Sequence, residues 1–340
     1  MDMTPKRRFQ MAMELKQADR VPMMYQHLGG AYYLQDLTGT SIADGLRDPS
    51  AHKRLCMAAL REFGLDNVMV GWGDMLGEAE ALGAQVAYGD PRMYPKGQEL
   101  KPELIPDLEP VDPWQGGIWS VQLQAAKELV DEVGDEVLVI ASMNDPFIVA
   151  TAVRGFEQLL MDQIAEPSSA HKLLGTALRT LKEGARAIKE CGVEVVFLED
   201  GIADASQNDL ENSLAFDIPY AAELAGHMRD LGLKVILSNC AATGYVEEQL
   251  RDCNPDAMQI ACEGKAYPRM LELMRGDKCL IAGINPTRKI LSLAPDEIEA
   301  EVKRVVAEFG KGPGLIVSSA GEIPLETPLE NILAFSKALT

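Results

Sequence analysis

The sequence predicts an α/β protein, a (β/α)8 TIM barrel with an N-terminal helical extension. Eight short apolar runs, near residues 21, 68, 138, 195, 235, 258, 280 and 316, recur along the 340 residues, and most are followed by a helical pattern. The alternation runs nearly to the end without a Ser/Pro-rich linker, so residues 1–340 read as one domain. No GxGxxG follows the first strand and no P-loop occurs, which removes the usual warrant for the competing doubly wound sheet.

Taken in order, Thr4 to Lys16 reads as an amphipathic helix, with Thr4 as N-cap, Pro5 in the first turn and an apolar side of Phe9, Met11, Ala12 and Leu15. The N-terminal extension covers residues 1–20. Asp19 to Gly30 reads as a short apolar strand breaking into a polar, Gly-rich turn, Tyr25-Gln26-His27-Leu28-Gly29-Gly30, which belongs at a barrel mouth. Helix Ser50–Phe63 precedes a strand from Val68 that ends in a lone acid, Asp74. Residues 91–117, rich in proline and turn formers, read as a long loop across the mouth.

Helix Gln122–Val133, strand Val137–Ala141, one helix over Ile148–Glu166 and another over Ser169–Cys191 continue the pattern. The strand and the helix at Ile148 are joined by the polar stretch Ser142 to Phe147, which includes Asn144. Val193–Leu198 is apolar without alternation, as a strand buried on both faces of a parallel sheet reads. Glu199 and Asp200 end it. A helix over Tyr220–Leu231, stopped by Gly232, leads to strand Lys234–Leu237, which ends in Ser238-Asn239-Cys240. The carboxyl ends of parallel strands share one crevice, so Glu199, Asp200, Asn239 and Cys240 are expected to face each other. Strands at Ala257, Cys279 and Leu315 and a closing helix Leu329–Leu339 complete the barrel, and Glu322 follows the last strand. Tyr25, Tyr32, Tyr33, Trp72, Trp114 and Trp119 fall at strand ends or in the long loop, where an aromatic wall would suit a flat or apolar substrate.

A net charge of −20 with no basic stripe argues against nucleic acid as a partner. Six scattered cysteines with no CxxC pair read as reduced thiols of a cytoplasmic protein. No apolar run reaches the ~20 residues that cross a bilayer, and no apolar h-region follows the basic residues near the start.

Several phrases, in order and spacing, resemble the uroporphyrinogen decarboxylase superfamily: Asp19-Arg20-Val21-Pro22, Gly73-Asp74-Met75 leading into Glu80-Ala81-Leu82-Gly83-Ala84, Gly155 to Asp162, Ile218-Pro219-Tyr220, Ala282-Gly283-Ile284-Asn285-Pro286 and Glu326 to Ile332. The resemblance spans nearly the whole chain. It implies a (β/α)8 barrel and one of two activities: cofactor-free decarboxylation of uroporphyrinogen, or methyl transfer involving a corrinoid protein or a thiol, usually with a zinc ion. Decarboxylases hold their many-acid substrate with an arginine-rich segment after the first strand. Here that place, Met23 to Tyr33, has no arginine, although Asp74 falls where decarboxylases keep an essential aspartate. The thiol-activating methyltransferases carry His-x-Cys and a distal Cys. Cys240 matches the first cysteine, but Ser238 and Gly321 stand at the other two places.

The resulting expectation lies on the corrinoid-dependent methyltransferase branch. A methyl group would pass from a small methylated substrate, of methoxy or methylamine type, to a corrinoid carried by a partner protein. The leaving group would be activated by an acid or by zinc held by Cys240 and Glu199. Asp74, Glu199 and Asp200 are the expected catalytic groups; Tyr25, Gln26, His27, Asn144, Asn239 and Glu322 the expected substrate contacts. Assembly as a homodimer is left open. The alternatives are a decarboxylase-like enzyme and a non-catalytic barrel that binds a corrinoid or tetrapyrrole.

Overall fold

The computed structural model describes residues 3–72, 75–98, 108–115, 117–263, 266–310 and 312–339. Ten strands occur among them: β1 (Met23–Met24), β2 (Asn67–Val70), β3 (Gln85–Ala87), β4 (Lys96–Gln98), β5 (Leu138–Asn144), β6 (Val195–Glu199), β7 (Lys234–Ser238), β8 (Ala257–Ala261), β9 (Cys279–Ile284) and β10 (Leu315–Ser319). Eight form one all-parallel sheet in the order β1-β10-β9-β8-β7-β6-β5-β2, with helices in the crossovers, while β3 and β4 make a separate antiparallel pair. This is a nearly closed (β/α)8 barrel.

The ring is closed between β1 and β2 by side chains rather than by a backbone ladder. The Asn67 amide accepts from Tyr25 N at 2.7 Å and donates to Tyr25 O at 3.0 Å, copying the two bonds a paired strand would make. Just below, the buried Asp66 carboxylate accepts from Met23 N, from Arg8 and twice from Arg20, at 2.7–2.9 Å. Asp19 also binds the Arg8 guanidinium, so the Asp19-Arg20-Val21-Pro22 phrase serves to lock the base of this seam.

Inside the barrel, Met24, Met69, Ile140, Phe197, Ile236, Ile281 and Ile316 form one apolar cluster, joined from below by Phe9 and Ala12 of helix Pro5–Met13. That helix lies across the amino ends of the strands, donating from Lys6 N to Glu136 O just before β5. Outward-facing strand residues such as Val196, Leu198, Val235 and Leu237 belong to the larger cluster under the helices. The strands of the barrel are therefore apolar on both faces over most of their length.

The expected helix over Ile148–Glu166 is two helices, Pro146–Arg154 and Phe156–Ala165, because Gly155 sits at φ 91°, ψ 136° and breaks the hydrogen-bonded run. The expected loop over 91–117 contains β4; residues 99–107 and 116 lie outside the described part. The aromatic wall does not form as expected. Trp72 is buried and stacks on His52 at 3.8 Å, Trp119 is buried in the core, and Tyr33 reaches Glu62 at the surface.

Candidate functional site

At the carboxyl ends of the strands the interior changes from apolar to polar. Side chains alternate across a strand, so the residues two positions beyond the apolar layer point into the mouth. Above Phe197 that residue is Glu199; above Ile140, Ser142; above Ile236, Ser238; above Ala257, Gln259; above Ile316, Ser318; above Met24, Gln26. Glu199, Ser238 and Gln259 stand in register across β6, β7 and β8. Buried Gln259 ties the floor together, accepting from Ser238 Oγ at 2.6 Å and donating from Nε2 to Gln26 Oε1 at 2.9 Å, Ser318 Oγ at 3.0 Å and Ser319 O at 2.8 Å. Gly71, just past β2, lets the chain pass tight against β5: at φ 77°, an added Cβ there would lie 2.9 Å from Ser142 O.

His27 joins this floor although it is adjacent in sequence to inward-facing Gln26. Its backbone is left-handed, with φ 56°, a strained conformation for a residue other than glycine, and this lets both side chains reach the mouth. Its Nε2 lies 3.0 Å from Glu199 Oε1 and 3.1 Å from the Gln26 amide, and its ring stands edge-on to Phe197. Ser142 Oγ donates to the same Glu199 oxygen at 3.1 Å. Burial opposes charge on His27, but Glu199, and more weakly Glu322, outweigh it and raise its pKa to about 9. Burial likewise opposes charge on Glu199, yet His27 and Ser142 hold it below its ordinary value. Glu322 goes the other way: burial, helped by Glu199, raises it against the pull of His27 and Tyr94. The Tyr94 hydroxyl donates to Glu322 Oε1 at 2.6 Å, so a residue from the stretch before β4 reaches across to the segment after β10. The floor thus holds an imidazolium paired with one carboxylate, beside a second carboxyl that is more readily protonated. Among the described residues, no arginine joins this network.

Three sequence expectations need correction. Asp200 does not face Glu199: as the next residue along β6 it points out of the barrel, where it is fully buried beside Asp145 and Asp217. Asn239 follows inward Ser238 and is likewise turned outward, donating to Ala203 O and Gln249 Oε1 and accepting from Ala241 N. Tyr25 precedes inward Gln26; it packs on Phe63 and gives its hydroxyl to Gly29 O. Gln26, His27, Glu199 and Glu322 are brought together. Asn144 stands at the end of β5, its backbone N and its Nδ2 both donating to Glu78 Oε1. Asp74 lies outside the described residues.

Cys240 sits half-buried beyond Ser238, its thiol pushed up to about 12 mainly by burial. A zinc site needs ligand atoms converging on one point. Among the described residues, Cys240, Glu199 and His27 do not bring theirs within 4.8 Å of one another; the group that does is Asp145, Asp200 and Asp217. Among the described residues, then, no third ligand joins Cys240 and Glu199 to complete a zinc centre.

Gln259, Ser142, Ser238, Ser318 and Tyr94 escaped sequence reasoning. Gln259 had a signal, since a glutamine inside the apolar run Ala257–Ala261 is anomalous for a buried strand.

Residues 4–340 match the family described as uroporphyrinogen decarboxylase (URO-D). The chain belongs to this family. Its similar URO-D relatives include a methylcobamide:CoM methyltransferase of Methanosarcina barkeri, 24% identical over 99% of this chain and 98% of that protein. The uroporphyrinogen decarboxylase of Mannheimia succiniciproducens is 23% identical over 98% and 96%. Among solved structures, a methyltransferase from Methanosarcina mazei superimposes with a TM-score of 0.88 at 22% identity, covering 99% of this chain and 98% of that one, which establishes a shared fold.

Proposed function

We propose that this chain is a methyltransferase of the uroporphyrinogen decarboxylase family. It moves a methyl group from a small methylated substrate, of methoxy or methylamine type, to a corrinoid held by a partner protein. The observation that carries the reading is a floor with no arginine among the described residues, in which His27 and Glu199 form a fixed pair beside the protonatable Glu322. The whole-length relatives named for methylcobamide support the corrinoid as reaction partner.

Both nitrogens of His27 are engaged, Nε2 with Glu199 and Nδ1 3.5 Å from Gly71 O, so its charge is held in place rather than offered to substrate. Glu322 has the raised pKa, with Tyr94 donating to its Oε1 and the Leu28 backbone N–H also donating to the carboxylate. As Glu322 gives its proton to the departing oxygen or nitrogen, the bond from that atom to the methyl carbon breaks, and the carboxylate left behind is stabilised by imidazolium His27. The corrinoid supplies the nucleophile that accepts the methyl group; it is the partner's cargo, and no residue of this chain need ligate it. Gln26 and Asn144 orient the substrate at the edge of the floor.

The test is formation of methylcobalamin from cob(I)alamin and a panel of methoxylated aromatics and methylamines, followed by visible absorbance. Methylation that falls about a hundredfold or more in Glu322→Gln supports the reading. The near-equal identity to a decarboxylase, 23% against 24%, keeps a second reading, and turnover of uroporphyrinogen with no methyl transfer would establish it instead. Tight cobalamin binding with neither activity would leave the non-catalytic barrel.

A further inference from the structure

Behind the mouth, between the sheet and its helices, three aspartates meet without a positive partner. Asp145 begins helix Pro146–Arg154 after β5, Asp200 follows β6, and Asp217 precedes helix Ile218–Asp230; all three are fully buried. One carboxylate oxygen from each lies within 4.8 Å of the other two. No ion pair among the described residues reaches any of them.

Asp145 is accounted for as an N-cap, its Oδ1 accepting from Ile148 N at 2.7 Å and its Oδ2 from Phe147 N at 3.1 Å. The other two are not. All four carboxylate oxygens of Asp200 and Asp217 are buried and none accepts a well-formed hydrogen bond, although Gln249 and the Ala203 N–H stand near enough to Asp200 to lower its pKa, Asp145 stands near enough to Asp217 to share a proton with it, and Asp217 sits at a helix start where capping would be easy. A buried carboxylate without donors is among the most costly groups a fold can carry. Two such groups aimed at a third point to a missing positive charge.

We propose that Asp145, Asp200 and Asp217 bind a hard divalent cation of the calcium or magnesium class. The donors are all oxygens, the preference of such ions, and a 4.8 Å span is no wider than opposite ligands at ~2.4 Å across calcium. The chain holds the cluster rigidly: Asp145 N donates to Glu199 O, Asp200 N to Ser238 O, and Gln249 Nε2 to Asp200 O. A cation here joins the ends of β5 and β6 to the helix at Ile218. It thereby fixes the strand end that presents Glu199 on the opposite face. The site stands independently of the proposed methyl transfer. The competing occupant is the proton: burial together with mutual repulsion raises Asp200 and Asp217 well above the carboxylate range, and burial raises Asp145 to about 6.

The experiment uses the full-length protein, first analysed for metal as purified and then stripped with a chelator. Calcium chloride and magnesium chloride are titrated calorimetrically into the stripped wild type and into Asp200→Asn and Asp217→Asn. About one ion per chain, a melting temperature restored by several degrees on adding it back, and affinity lost at least tenfold in either variant support the site. If a variant fails to fold, the wild-type titration decides alone. Stripped wild type that binds neither ion, and whose melting temperature instead rises as pH falls from 8 to 5.5, would show that protons hold the cluster and would overturn the proposal.

Discussion

Replacing Glu199 by Gln tests the central charge pair. In the folded protein His27 titrates at about 9, against an ordinary value of 6.5, and it is only 3% exposed. A gap of ~2.5 pH units corresponds to about 3 kcal/mol. Because the folded value lies above the unfolded one, this stabilisation is fully present below pH ~6.5 and is lost as pH rises through ~9. In Glu199→Gln the carboxylate is gone while burial remains, so the imidazole titrates well below its wild-type value and most of the loss disappears. Urea unfolding of both proteins at pH 6 and pH 9.5 measures this directly: the stability gap between them should shrink by about 2–3 kcal/mol across the window. Imidazole NMR gives the microscopic check, with four histidines to assign. A wild-type His27 titrating near 6.5, or an unchanged gap between the two proteins, would refute the reasoning.

Asn67→Leu removes both bonds that stand in for a ladder at the β1–β2 seam and strands the buried N–H and C=O of Tyr25. At ~1–3 kcal/mol for each of the two orphaned groups, unfolding stability should fall by about 2–6 kcal/mol in urea melts. Asp66→Ala strips the shared acceptor of Arg8, Arg20 and Met23 N, with Arg8 left largely buried; a loss of about 3–5 kcal/mol by the same measurement is expected. Tyr94→Phe removes a hydrogen bond that lowers the Glu322 pKa, so the alkaline limb of the kcat/KM profile for methyl transfer should move to higher pH.

All eight barrel strands were legible because each is a short apolar run and most precede an amphipathic helix, a pattern few other folds produce. The same property hid the floor of the site. In β6, Val195, Val196, Phe197 and Leu198 are all apolar, so nothing in the string says whether Glu199 or Asp200 faces inward; parity comes only from the barrel's curvature. Ser238 and Asn239 posed the same ambiguity and resolved against the more polar-looking residue. The left-handed turn at His27 left no sequence mark, and Asp145 and Asp217 look like ordinary caps until the fold sets them beside Asp200. Tyr94 lies 228 positions from the carboxylate it holds, beyond the reach of any local pattern.

Helix Pro5–Met13 has a last consequence. With Phe9 and Ala12 packed against the inner apolar cluster, the barrel is plugged at the amino ends of its strands. For the proposed methyl transfer, that leaves substrate and corrinoid to arrive from the same side, the carboxyl ends of the strands.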